Sequence, residues 1–274
     1  MESRDRDVLA RTRELGMRVV RLIHEGDCRY GLADDTTITL ISDEPFSAWE
    51  PEGVLPLRGA QLLCPVTPTK VVCVDLNYKN HIAEMGHETP RTPVIFIKPS
   101  TAVIGPLQPI PLPKGVGRVD YEGELGVVIG RRTHQVTAAQ AADHVLGLCC
   151  GNDVTARSLQ QVDGQWTRAK SFDGFCPLGP WVATGVEPDD LLLETYVNGE
   201  LRQHARTSDM LFHPYELVSF ISSVMTLVPG DVVLTGTPGG IGELTAGDSV
   251  EVRIENVGSL FSSVESQGTS SPAS

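Results

Sequence analysis

The sequence predicts a mostly β, α+β fold: a mixed β-roll or β-sandwich with a few covering helices, preceded by a small β-rich N-terminal module. Three observations carry this. From about residue 66, short β-rich runs alternate with Pro and Gly punctuation: Val71–Leu76, Val94–Lys98, Glu124–Ile129, Val145–Cys149, Trp181–Thr184, Leu192–Val197, Asp231–Thr235 and Ser249–Ile254. They are too many, with too few helices between them, for a doubly wound parallel sheet. Residues 17–60 carry a strand–turn–strand pattern of their own.

In chain order, residues 1–16 form an N-terminal extension, an appended helix or a loose arm. Met17–Ile23 is strand-like, Glu25-Gly26-Asp27 supplies a turn, and Tyr30–Ala33 and Thr36–Ile41 continue as strands. These belong to the small module, 17–65. A large domain, 66–265, follows. It holds two clear helices. One is Ala138–Val145. The other is His213–Leu227, with Pro214 in the permitted first turn and Leu217, Phe220, Ile221 and Val224 at helical spacing. Pro229-Gly230-Asp231 then forces a turn. The Ser-rich stretch 266–274 is a flexible tail.

Composition narrows the function. The 274 residues carry 22 Lys and Arg against 35 Asp and Glu, a net charge of −13. No basic cluster beyond Arg131-Arg132 is available to neutralise phosphates, so nucleic acid is excluded as a partner. No run approaches the roughly 20 apolar residues of a membrane span, and the charged N-terminus lacks a signal core. The expectation is a cytoplasmic protein without a membrane partner. An acidic surface repels anionic substrates, so a pocket for acids needs local cations or a metal. None of the six cysteines forms a CxxC pair. Cys64, Cys73, Cys149 and Cys150 sit in apolar runs and are expected as buried free thiols rather than zinc ligands or disulfides.

The strongest local feature is Asp120-Tyr121-Glu122-Gly123-Glu124-Leu125 leading into a strand. Strand alternation puts Glu122 and Glu124 on one face. The pair is either a solvated face or two oxygen ligands for a hard divalent cation. Asp153 follows the apolar strand Val145–Cys149 and is either a site residue or a helix N-cap. In Asn77–Glu84, a helical backbone sets His81 and Glu84 at i, i+3, which makes either a general-base pair or an ordinary surface contact. Lys170, in Arg168–Asp173, is a surface cation or a group that stabilises an enolate. Thr235–Gly242 is a Gly-rich turn without P-loop spacing, either a bulged turn or a backbone cradle for an anion.

Taken in order, Asn77–Glu84, Pro93–Lys98, Asp120–Leu125, Asn152–Gln160, Lys170–Asp173, Pro177–Pro180 and Thr235–Gly240 resemble the motif series of the fumarylacetoacetate hydrolase family. The resemblance covers roughly residues 66–262. It implies a mixed β-roll catalytic domain, a homodimer, and a Mg²⁺ or Mn²⁺ site built from Glu122, Glu124 and Asp153. It implies His81 and Glu84 as a water-activating pair, Lys170 as the enolate- or carboxylate-stabilising group, and Tyr78, Arg157, Gln160 and Thr237 around the substrate. One position departs: Asp75 stands where the family usually has glycine.

The activity so implied is hydrolysis of C–C bonds in acylpyruvate-like or β-diketo acids, through an enolate that a cation stabilises. The same electron sink serves decarboxylation of an oxaloacetate-like acid, or isomerisation and tautomerisation of unsaturated 2-oxo diacids. A non-enzymatic ligand-binding protein on the same fold is the more distant alternative. In each enzymatic case the partner is a small 2-oxo or β-diketo acid, and the setting is catabolism of aromatic or 2-oxo acids.

Overall fold

The computed structural model describes residues 9, 12–13, 16–86 and 88–267. The β-branched runs pair into three sheets among these residues. The largest runs in the order Pro51–Pro56, Thr37–Ile41, Asp27–Ala33, Arg18–His24, Cys176–Ala183, Val145–Asn152, Gly123–Ile129, Val232–Leu234, Lys70–Asp75 and Val94–Pro99, with Gln61–Leu62 and Val103–Ile104 attached at its side. A five-strand sheet orders Glu200–Arg206, Leu192–Val197, Ser249–Ile254, Gly258–Ser266 and Ile110–Leu112, and a three-strand sheet orders Thr155–Ala156, Val119–Tyr121 and Gly242–Glu243. The mostly β expectation therefore holds.

The central strands are apolar without interruption because both of their faces are covered. In Lys70–Asp75, Val72 and Val74 join a core with Leu125, Val127 and the helix residues Leu217, Val218 and Ile221. Val71 and Cys73 face the other way, into a core shared with Val128, Leu146, Val19, Leu32, Ile41 and Trp49. Each such aliphatic side chain contributes about 1.5–3 kcal/mol on burial. The N-terminal strands are thus continuous with the large sheet: Val19 pairs with Val182 and Arg18 with Ala183.

Both long-helix expectations need trimming. The first helix ends at Ala141, turns through a 3₁₀ segment to His144, and gives way to the strand at Val145, where a β-branched run takes over. Thr137 and Gln140 close its capping box. The second spans Pro214–Val224, with the His213 side chain accepting from Tyr215 N at 3.2 Å. It stops because Met225 is extended and Leu227 bridges to Thr133. Its stripe is also shifted: Val218 is buried whereas Val224 is 58% exposed. Among the described residues three further helices occur, Lys79–Met85, Arg157–Asp163 and Thr167–Lys170.

All six cysteines are free, and Cys176 joins the four expected buried thiols. Burial pushes the Cys64 thiol up to about 11, so it stays protonated. No helix among the described residues is long and apolar enough to cross a membrane. The extension expected over 1–16 falls mostly outside the described residues; of those described, Leu9 is buried in the core and Arg13 Nη1 donates to Ala142 O at 2.5 Å. Of the tail expected over 266–274, Ser266 ends a strand, and 268–274 lie outside the described residues.

Candidate active site

The site forms where two antiparallel strands end together. Gly123 pairs with Asn152 and Glu124 with Gly151, which brings the residues flanking each strand end side by side. Asn152 Oδ1 accepts from Glu122 N at 2.9 Å, and Asp153 N donates to Glu122 O at 2.8 Å. The consequence is a buried triad. Glu122, Glu124 and Asp153 each offer a carboxylate oxygen, and these atoms lie within 4.8 Å of one another. The solvated-face and N-cap alternatives both fail: the three residues are 4%, 1% and 1% exposed, and the N-cap of Arg157–Asp163 is Ala156.

Three cations press on two of these carboxylates. Lys170, at the end of the helix Thr167–Lys170, is buried rather than a surface lysine. Its Nζ donates to Asp153 Oδ2 at 2.6 Å and Glu122 Oε2 at 2.8 Å. Lys98 Nζ bonds Asp153 Oδ1 and donates to Val154 O at 3.0 Å. Arg157 donates to Glu122 Oε1, to Asp120 Oδ2 at 3.0 Å and to Gln160 Oε1 at 2.6 Å. Burial opposes the charge on Glu122, but Lys170 and Arg157 outweigh it and hold its carboxyl well below the usual range. Burial likewise opposes the charge on Lys170, yet Asp153 and Glu122 raise its pKa.

Glu124 differs. Among the described residues its carboxylate takes one hydrogen bond, from Gly236 N at 2.8 Å. Burial first, then the charges of Asp153 and Glu122, push its pKa well above the glutamate range. A buried carboxyl held against two like charges without a cation of its own fits a divalent-ion ligand set. The donor set is all oxygen, as Mg²⁺ and Mn²⁺ prefer.

Beside the triad lies a cavity of about 380 Å³ lined by Asp75, Leu76, His81, Arg157, Gln160, Gln161 and Trp166. His81, 3% exposed, reaches it from the helix Lys79–Met85, with Nδ1 3.4 Å from Glu84 Oε2. Glu84 is fixed in turn by Gly240 N, 3.1 Å from its Oε2. The Gly-rich turn is therefore a cradle for the protein's own carboxylates, Glu124 and Glu84. The turn needs glycine: at Gly236 φ is +94°, and a Cβ would lie 2.8 Å from Asn77 Cβ.

The structure thus gathers Glu122, Glu124, Asp153, Lys170, Arg157, Gln160, His81 and Glu84. Two expected substrate contacts lie away from this cavity's lining. Tyr78 is fully buried in the apolar core, and its hydroxyl has no hydrogen-bond partner. Thr237 donates to Gly123 O at 2.9 Å and accepts from Gln203 Nε2 at 2.8 Å, so its hydroxyl is consumed in holding the turn to the strand. Neither lines the cavity. Lys98, Asp120 and Gln203 were not singled out by sequence reasoning. The signal for Lys98 was a lysine inside an apolar strand, on the same face as Phe96.

Comparison with known proteins adds the following. Residues 70–265 match the model of the fumarylacetoacetate (FAA) hydrolase C-terminal family, and residues 17–65 match the Rv2993c-like N-terminal model. Protein Rv2993c of Mycobacterium tuberculosis is 50% identical over 246 residues, 88% of this chain and 93% of that protein. The mitochondrial oxaloacetate tautomerase FAHD2B of Bos taurus is 42% identical over 224 residues, 77% of this chain and 71% of that protein. The crystal structure of 2-hydroxyhepta-2,4-diene-1,7-dioate isomerase from Mycobacterium marinum superposes with a TM-score of 0.86 at 45% identity, covering 92% of this chain and 100% of that one.

Proposed function

The chain belongs to the fumarylacetoacetate hydrolase family, and we propose that it moves a proton on a small 2-oxo diacid, interconverting enol and keto or double-bond isomers. The observation that carries this reading is a buried proton acceptor, His81, sharing a cavity with Arg157, whose guanidinium reaches Glu122 of the carboxylate triad. The activities named for the tautomerase and the isomerase among the similar proteins support proton transfer over bond hydrolysis.

Glu122, Glu124 and Asp153 would hold a divalent cation, which when bound would supply Lewis-acid polarisation of a 2-oxo group and so acidify the neighbouring C–H. The protein's own groups do the rest. His81 exchanges a proton with the substrate, and Glu84, 3.4 Å from its Nδ1, orients its ring. Lys170 places a fixed positive charge between Glu122 and Asp153, preorganised for an enolate. Leu76 and Trp166 give the cavity an apolar wall that limits water.

A second reading, hydrolysis of a C–C bond in an acylpyruvate-like or β-diketo acid, is favoured by the His81–Glu84 pair, because the same pair activates a water molecule. The protein with Mn²⁺ or Mg²⁺ in D₂O, given oxaloacetate or an unsaturated 2-hydroxy dioate, is expected to accelerate enol loss and deuterium uptake at C3. Cleavage of acylpyruvates without that exchange would replace the proposal with hydrolysis. Release of CO₂ from oxaloacetate as the main reaction would replace it with decarboxylation.

A further inference from the structure

Asp75 is the last residue of the strand Lys70–Asp75 and lines the cavity beside His81. Its position is fixed by its neighbours. Leu76 adopts φ +54°, a left-handed conformation that is strained for a leucine and turns the chain sharply after the strand. Asn77, fully buried, then clamps the turn: its Nδ2 donates to Thr235 O at 2.8 Å and Phe212 O at 3.1 Å, and its Oδ1 accepts from Phe212 N at 2.9 Å.

Among the described residues the Asp75 carboxyl makes no hydrogen bond and enters no ion pair. A largely buried carboxylate left without a partner is costly, roughly several kcal/mol, unless it is protonated or meets a ligand. It caps nothing and bridges nothing, so no structural role accounts for it. The charged groups that face it are Lys170, Glu122, His81 and Asp153. Burial acts first and lifts its pKa; Lys170 and His81 pull it back, and Glu122 and Asp153 push it up, with a net rise. Asp75 is thereby suited to holding a proton that it can give away.

Resting on the proton-transfer reading above, we propose that Asp75 is a second proton carrier in this cavity, acting on carbon while His81 acts on oxygen. In the enol-to-keto direction the enol O–H breaks and its proton passes to His81, its bonding pair becoming the C=O π bond. The C=C pair takes the proton of the Asp75 carboxyl to form C3–H, leaving a carboxylate. A proton returning from the imidazolium to Asp75 through water restores both groups, so nothing is consumed. The reverse reaction uses Asp75 as the base at C3.

The test is Asp75→Asn, which keeps shape and removes the exchangeable proton. With Mn²⁺ bound, kcat for C3 exchange is expected to fall by about 10²-fold or more. KM, Mn²⁺ affinity by calorimetry and the thermal midpoint should stay near wild type. Infrared difference spectra of wild type against D75N should show the C=O stretch of an un-ionised carboxylic acid at neutral pH, a readout that needs no turnover. Absence of that band overturns the proposal, as does a D75N kcat within threefold of wild type. If wild type itself fails to exchange C3 protons, the proton-transfer reading falls and takes this one with it. An active wild type with an equally active D75N sinks this inference alone.

Discussion

Lys170 Nζ sits 2.6 Å from Asp153 Oδ2, and both side chains are sealed from solvent. The same ammonium reaches Glu122, so one cation ties together two of the three triad carboxylates. Its removal leaves Glu122 with Arg157 alone and Asp153 with Lys98 alone, so buried negative charge is under-compensated. Lys170→Met is expected to lower the stability of the metal-free protein by about 3–5 kcal/mol. Added Mn²⁺ should recover part of this loss by replacing the missing positive charge. Urea unfolding with and without Mn²⁺ checks both; unchanged stability would mean that the ammonium is not structurally coupled to the triad.

Glu124 and Glu122 should respond to pH in opposite senses. The folded state raises the Glu124 pKa, so folded protein keeps a proton that the unfolded chain has released. Metal-free stability from this group is present at low pH and falls as pH rises from the ordinary glutamate range through the folded value. Glu122 is depressed, so its contribution is present above the unfolded value and lost on acidification. Glu124→Gln should therefore raise metal-free stability at neutral pH. It should also weaken Mn²⁺ binding by more than the roughly 10–100-fold typical of outer-shell partners. Wild-type Mn²⁺ affinity should increase with pH as the Glu124 proton is displaced. A pH-independent affinity in calorimetry would contradict the assignment.

Gly236 couples the turn to the triad through its N–H. Alanine there must adopt φ +94° and bring a Cβ to 2.8 Å from Asn77 Cβ and 3.1 Å from Val74 O. Gly236→Ala should cost about 1–3 kcal/mol in stability and weaken Mn²⁺ binding, because the turn must shift to admit the Cβ and so carries its N–H away from the Glu124 carboxyl. Equal Mn²⁺ affinity in the variant and the wild type would show that the N–H does not position Glu124.

His81→Asn and Glu84→Gln separate chemistry from metal binding. Loss of the imidazole should lower kcat by about 10²–10⁴-fold, with Mn²⁺ affinity retained. Glu84→Gln should have a smaller effect on kcat, again with Mn²⁺ affinity retained. A His81→Asn enzyme with full activity would move the proton-handling role elsewhere.

Much of this site was legible in the sequence because strand alternation is a short-range rule. The two-residue spacing of Glu122 and Glu124 predicts a shared face, and the two carboxylates do converge although Glu122 lies just before the strand Gly123–Ile129. Asp153 was harder, since only the antiparallel pairing of Gly123 with Asn152 brings it alongside. Lys98 and Gln203 gave little signal: their roles depend on strands far along the chain. Gln203 Oε1 accepts from Gly123 N at 2.9 Å across 80 residues. Tyr78 shows the converse limit. Its neighbour Asn77 clamps the turn and His81 reaches the cavity, but Tyr78 is the extended N-cap residue before the helix Lys79–Met85 and its ring packs in the core. Helix ends were misjudged where tertiary pairing intervened, as at Val145, whose strand register captures it from the helix before it.

The pairing of Val19 with Val182, together with the packing of Val19, Leu32, Ile41 and Trp49 against Val71, Cys73 and Val128, bears on how this polypeptide can be divided. Cleavage near residue 65 would strip the large sheet of a neighbour to Cys176–Ala183 and lay open half of a hydrophobic layer. The shortened fragment would offer a naked, sticky border to any passing strand. Segments that look like an add-on in one dimension are, in three, a wall of the house.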